Sequence, residues 1–96
     1  MSLNENDVIE VNSSIVLREE YDDWAILFDP DSNRTLGINP MGVFMWKRLD
    51  GKHTIGEILD ELPGNFENIS SEAITHLTNF VEDLIKRGLA SRADVR

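Results

Sequence analysis

The sequence predicts an α+β protein in which a three-stranded antiparallel sheet is followed by three α-helices. The first part of the chain holds short β-branched and aliphatic runs separated by turn residues, the pattern of hairpin-connected strands. From residue 39 onward, Asn, Thr and Ser caps precede segments with apolar residues at three- and four-residue steps, which indicates amphipathic helices. The first two helices should form a helix-turn-helix-like corner, so we expect a winged-helix-like arrangement.

The composition limits the classes of protein that the chain can belong to. Its 96 residues suffice for one domain, and the absence of cysteine excludes disulfides and thiolate-bound metals. There is neither an apolar run of about 18 residues nor a signal-peptide pattern, so we expect a cytoplasmic protein without membrane contact. The net charge of −9 repels phosphates, which disfavours nucleic acid as a partner.

Three strands are predicted in the first half of the chain. We expect residues 1–12 to be a flexible segment, residues 13–90 the folded domain and residues 91–96 a polar tail. The strands should span Ile15 to Leu17, Trp24 to Phe28 and Thr35 to Ile38. The second run is too apolar for a strand with one wet face, so both of its faces should be partly covered.

The second hairpin connection, Asp29 to Arg34, suits a tight turn but not a metal site. Pro30 presets the turn, and Asn33 accepts a left-handed conformation. Asp29, Asp31 and Asn33 have the first spacings of a calcium loop. However, Arg34 replaces the sharp-turn glycine and Pro40 the bidentate glutamate of such a loop, so we expect no metal.

The first helix should begin at Pro40 behind an Asn39 cap and end before Asp50-Gly51. Gly42 within it suggests close approach of another backbone. Trp46 fits either the core or a groove, and we favour the core. The residues expected to face inward are Met41, Phe44, Met45 and Leu49.

Two further helices follow. Thr54 and Glu57 form a capping-box pattern, which starts the second helix; it should run from Ile55 to Leu62. Ser70 caps the third helix, and Gly88 ends it. One stripe of this helix at helical spacing carries Ala73, Leu77, Phe80, Val81 and Leu84.

The centre of the chain resembles the core motif of the PqqD family. The residues that carry the resemblance are Ile38-Asn39, Gly42, Met45-Trp46, Leu49-Asp50-Gly51, Thr54-Ile55 and Glu57-Ile58, and it extends from Val16 to Ala90. Pro40-Met41 departs from the small or β-branched pair more usual in the family. Within it, the chain is most similar to the stand-alone proteins of the SynChlorMet-cassette subgroup.

The resemblance implies a peptide-binding module without a cofactor. Such domains bind the leader segment of a ribosomally made precursor peptide and bring it to a radical S-adenosylmethionine enzyme or another modifying enzyme. The implied site is a strand edge and a helix face, formed by Arg34, Thr35, Leu36, Gly37, Ile38, Leu77, Phe80, Val81 and Leu84. From the residues alone, the helical stripe also fits core packing: we favour core for Leu77, Val81 and Leu84, and leave Phe80 open.

The sequence gives less support to other functions. His53 and His76 lie among exposed-type residues, and no nucleophile, phosphate loop or acid pair has a catalytic pattern, so we expect no enzyme. A winged-helix DNA-binding protein would depend on Lys47, Arg48 and Lys52, but the second helix is acidic at Glu57, Asp60 and Glu61. A generic adaptor or oligomerisation module stays an alternative, because a free strand edge also permits a homodimer.

Overall fold

The computed structural model describes residues 3–93, apart from the side chain of Tyr21. It confirms an α+β fold, with three α-helices and two three-stranded antiparallel sheets. In chain order the elements are β1 (Val8–Val11), β2 (Val16–Glu19), β3 (Ala25–Asp29), β4 (Arg34–Ile38), α1 (Pro40–Arg48), β5 (Asp50–Thr54), α2 (Ile55–Glu61), α3 (Ser71–Lys86) and β6 (Ala90–Arg92).

The predicted sheet is confirmed as β2-β3-β4, which we call the hairpin sheet. Leu17, Leu27 and Leu36 lie side by side on its inner face, where they meet the core. The connection from β3 to β4 is the predicted tight turn. Asp29 Oδ1 accepts from the Asp31 N–H at 3.0 Å, and Asn33 takes a left-handed φ of 62°.

The second sheet, ordered β5-β1-β6, was not predicted. We expected residues 1–12 to be flexible, yet β1 is its central strand and Ile9 is fully buried. β5 begins at the expected turn Asp50-Gly51, and β6 extends from Ala90 into the expected polar tail. Residues 1, 2 and 94–96 of those two predicted segments lie outside the described residues. The strands therefore do not all precede the helices, as the sequence had suggested.

The helix starts confirm the predicted caps. Asn39 Oδ1 accepts from the Gly42 N–H at 2.8 Å, and Ser70 Oγ accepts from the Ala73 N–H at 3.1 Å. Thr54 and Glu57 form the reciprocal capping box. Gly88, with a φ of 78°, follows α3. There the Leu89 N–H donates to the Leu84 carbonyl and the Gly88 N–H to that of Ile85, so two carbonyls of the last turn are satisfied.

The core lies between the inner face of the hairpin sheet, the second sheet and the three helices. Trp46 is only 6% exposed, which confirms its assignment to the core. Phe66 packs edge-on against Phe44 with ring centroids 5.5 Å apart, and it closes the core beside α1. Within residues 3–93, no helix combines the length and apolarity needed to cross a bilayer.

Candidate peptide-binding site

β4 is an edge strand. It pairs with β3 on one side, and no other strand of residues 3–93 pairs with its second side. Arg34, Thr35 and Gly37 are exposed, Leu36 is half-buried and Ile38 is buried. An edge strand carries unpaired N–H and C=O groups, so β4 can accept a further strand by backbone hydrogen bonding.

Two cavities lie between β4 and the α3 side of the domain. The first, of about 380 Å³, adjoins the end of β4 and is lined by Gly37, Ile38, Asn39, Met41, Gly42, Ala73, His76, Leu77 and Phe80. The second, of about 220 Å³, adjoins the start of β4 and is lined by Ile15, Leu27, Asp29, Ser32, Arg34, Thr35, Leu36, Arg87 and Leu89. The first half of α3 borders the end of β4, and Arg87, which directly follows α3, borders the start of β4. The two elements therefore run in opposite directions. We call the two cavities together the β4–α3 groove.

A family model matches most of the chain. The family model described as coenzyme PQQ synthesis protein D (PqqD) matches residues 25–90. The chain belongs to the PqqD family. No curated protein and no solved structure shows significant similarity to it. PqqD proteins are non-catalytic, peptide-binding partners in PQQ biosynthesis.

The structure brings together most of the residues that the PqqD resemblance implied. All five β4 residues, together with Leu77 and Phe80, line the groove. Val81 and Leu84 are fully buried and line neither cavity, so they are core residues. Leu77 is also buried, at 5% exposed, whereas Phe80 is half-buried and packs against the core from the groove side.

The lining residues of the groove that were not among the predicted site residues include Gly42, Ala73 and His76. Ala73, His76, Leu77 and Phe80 share one face of α3 because they are spaced by three and four residues. The sequence predicts His76 to be a surface residue, which its exposure confirms, but it does not indicate that His76 borders the site. Gly42 also lines the groove. Its close neighbours are the side chains of Ile38, Asn39 and Phe80, not the other backbone that we expected.

The start of β4 is the part of the groove that holds arginines. Arg34 and Arg87 line the smaller cavity together with Asp29. Arg87 Nε donates to Asp83 Oδ2 at 2.7 Å, whereas Arg34 makes no ion pair within residues 3–93. The Arg34 guanidinium is therefore available to a carboxylate of a bound ligand.

The two histidines differ in their surroundings. His76 is exposed in the groove, and His53 lies on β5, lining neither cavity. His53 Nδ1 lies 3.0 Å from Asp50 Oδ1. This hydrogen bond raises the pKa of His53 and, with donation from the Lys52 and His53 N–H groups, lowers the pKa of Asp50 to about 2. Neither residue of the pair lines the groove.

Two of the three cations considered for DNA binding are paired with carboxylates. Lys47 Nζ lies 3.0 Å from Glu19 Oε2, and Arg48 Nε donates to Glu61 Oε1 at 2.8 Å. The Arg48 guanidinium also stacks over the Phe44 ring, 3.8 Å from its centroid. These contacts neutralise most of the small basic cluster beside α2.

Proposed function

We propose that this PqqD-family chain is a non-catalytic peptide chaperone. It binds the leader segment of a ribosomally made precursor peptide as an added strand on β4 and presents it to a modifying enzyme. The single observation that carries the proposal is the free edge of β4 beside an apolar groove. Strand addition of this kind uses backbone hydrogen bonds for affinity and pockets for alternate side chains for specificity.

The length of β4 limits how many residues of the bound segment can pair with it. β4 has five residues, and alternate side chains of a paired strand stand about 7 Å apart on the same face. One apolar side chain of the leader would enter the larger cavity, against Leu77 and Phe80. A second side chain would reach the smaller cavity, where Arg34 favours a carboxylate. A leader with alternating apolar residues and an acidic residue at one end fits this groove.

The second partner is the enzyme that modifies the peptide. We propose a radical S-adenosylmethionine enzyme or another peptide-modifying enzyme, acting in the cytoplasm where the precursor is made. The chain itself contributes no cofactor to this reaction. Its role is to raise the local concentration of the peptide at the enzyme, since linking two binding events makes the second one intramolecular.

The proposal is tested by titrating the isotope-labelled chain with the leader segment of the precursor peptide encoded beside it. We expect amide shifts concentrated at residues 34–38 and at His76, Leu77 and Phe80. A reversed leader of the same composition controls for nonspecific association. If the correct leader leaves these signals unchanged, strand addition at β4 is wrong.

A further inference from the structure

The face of the hairpin sheet that points away from the core is unusually apolar. An antiparallel sheet with one face on the core normally carries polar residues on the other. Besides Arg18, the outward positions of β2 and β3 hold Val16, Ile26 and Phe28, and none of these three packs against the core. Trp24, two residues before Ile26, continues this face beyond the end of β3. We call this surface the outer face.

Two large side chains of the outer face, Val16 and Trp24, are exposed, whereas Ile26 and Phe28 are half-buried. Val16 is 51% exposed and Trp24 is 53% exposed, the two most exposed large apolar residues that the described chain shows. Ile26 pairs across the strands with Gly37, where a built Cβ would have nothing within 4 Å. Gly37 therefore leaves Ile26 uncovered on the β4 side. Exposed apolar patches rimmed by polar residues mark protein interaction sites, and Trp is enriched among the residues that dominate their binding energy.

The rim of the outer face is acidic. Arg18 is the cation of this face, and its Nε lies 3.2 Å from Glu20 Oε2, which offsets its charge. Besides Glu20, which pairs with Arg18, the carboxylates in the two connections that flank β3 are Asp22 and Asp23 before the strand and Asp31 after it. A second copy of this chain, with a net charge of −9, would place like charges against this rim.

We propose that the outer face docks the peptide-modifying enzyme, through a surface of that enzyme with an apolar centre and a Lys- and Arg-rich rim. This inference rests on the proposed function. Phe28 and Ile26 of the outer face pair with Thr35 and Gly37 of β4, so the outer face adjoins the edge strand at which the leader would pair. An enzyme seated there lies next to the peptide without covering the β4–α3 groove.

Val16→Glu tests the apolar centre. Val16 lies on β2, at the opposite edge of the sheet from β4, so the substitution leaves the groove intact. With the purified modifying enzyme encoded beside the chain as the probe, we expect the affinity to fall by about tenfold or more while leader binding is unchanged. Asn79→Glu, an exposed position on α3 with the same charge change, should bind the enzyme like wild type. Fluorine-labelled tryptophan provides a second readout, because only the Trp24 signal should shift on enzyme binding.

Asp22→Asn combined with Asp23→Asn tests the rim. Both residues have left-handed backbones, with φ of 53° and 66°, and Asn accepts this conformation as well as Asp does. We expect slower association with the enzyme and a weaker dependence of the rate on salt. The inference is wrong if Val16→Glu binds the enzyme as tightly as wild type does. It is also wrong if the wild-type chain binds the leader but does not bind the enzyme. Concentration-dependent self-association abolished by Val16→Glu would also overturn it in favour of a second copy. Loss of leader binding at β4 would instead contradict the proposed function.

Discussion

The ring of Phe80 on α3 stands against the backbone of Gly42 on α1, such that a Cβ built on Gly42 would lie 3.7 Å from Phe80 Cζ. The two residues meet in the larger cavity of the β4–α3 groove. Gly42 thereby leaves open a space that any larger residue would enter. The width of the groove at the end of β4 depends on this pair.

Gly42→Ala should narrow the groove and weaken leader binding. The new methyl would lie 3.3 Å from both Ile38 Cβ and Asn39 Oδ1. This crowding opposes the gain of about 1 kcal/mol that Ala brings to a helix interior, so the free energy of unfolding should change little. Calorimetric titration with the leader measures the affinity. Gly56→Ala is the control, because its Cβ would crowd Glu5 at 3.3 Å but lies outside the groove. Equal affinities for the two variants would contradict the role of Gly42.

Phe80→Ala and Leu84→Ala should separate groove from core on α3. Leu84 is fully buried and lines neither cavity, so its truncation should lower the free energy of unfolding by about 2–5 kcal/mol. The folded variant should bind the leader with the affinity of wild type. Phe80 is half-buried, and its truncation should cost less stability but lower leader affinity strongly. Chemical denaturation and calorimetric titration measure the two quantities. A Phe80→Ala variant with wild-type affinity would place the peptide elsewhere.

Proline substitutions at Thr35 and Leu36 test the edge of β4. Adjacent residues of a strand point their N–H groups to opposite sides, so one proline removes a donor toward β3 and the other a donor toward the free edge. We expect one variant to lose sheet stability and the other to lose leader affinity with its helix content retained. Circular dichroism and a binding titration distinguish them. Wild-type affinity in both folded variants would exclude backbone pairing.

The parts of the fold that sequence predicted are those with local signals. The caps at Asn39, Thr54 and Ser70 satisfy amides within a few residues, so side-chain chemistry at those positions suffices to locate the helix starts. The second sheet lacks such signals. β5 contains Asp50-Gly51, and Gly51 has a φ of 79° typical of a turn, yet both ends of the segment pair with β1. Only the tertiary structure shows that pairing.

The sequence predicted that the candidate site lies on β4 and α3, but not which residues of α3 line it. The period of α3 placed Leu77, Phe80, Val81 and Leu84 on one stripe, and a stripe alone cannot distinguish the centre of the core from its margin. Only the tertiary structure separates them: Phe80 is half-buried and lines the larger cavity, whereas Val81 is fully buried. His76 was missed because one polar residue on a helix is indistinguishable in sequence from a solvated one.

The pair of His53 and Asp50 should make stability depend on pH in two directions. The pKa of Asp50 is lowered from 3.8 to about 2, so its contribution is complete above about pH 4 and is lost as the pH falls toward 2. The pKa of His53 is raised above 6.5, so its contribution is complete below that value and is lost as the pH rises through the raised pKa. The pair should therefore stabilise the fold most between about pH 4 and 6.5.

Asp50→Asn provides the measurement. Following the His53 ring signals by NMR, we expect the variant to bring the pKa of His53 back toward 6.5 because the main cause of its increase is removed. His53→Asn should abolish the decline in stability at neutral pH. It should also leave Asp50 accepting from the Lys52 N–H at 2.9 Å, so the decline in acid persists in part. A pKa of His53 that is the same in wild type and Asp50→Asn would show that the hydrogen bond does not form in solution.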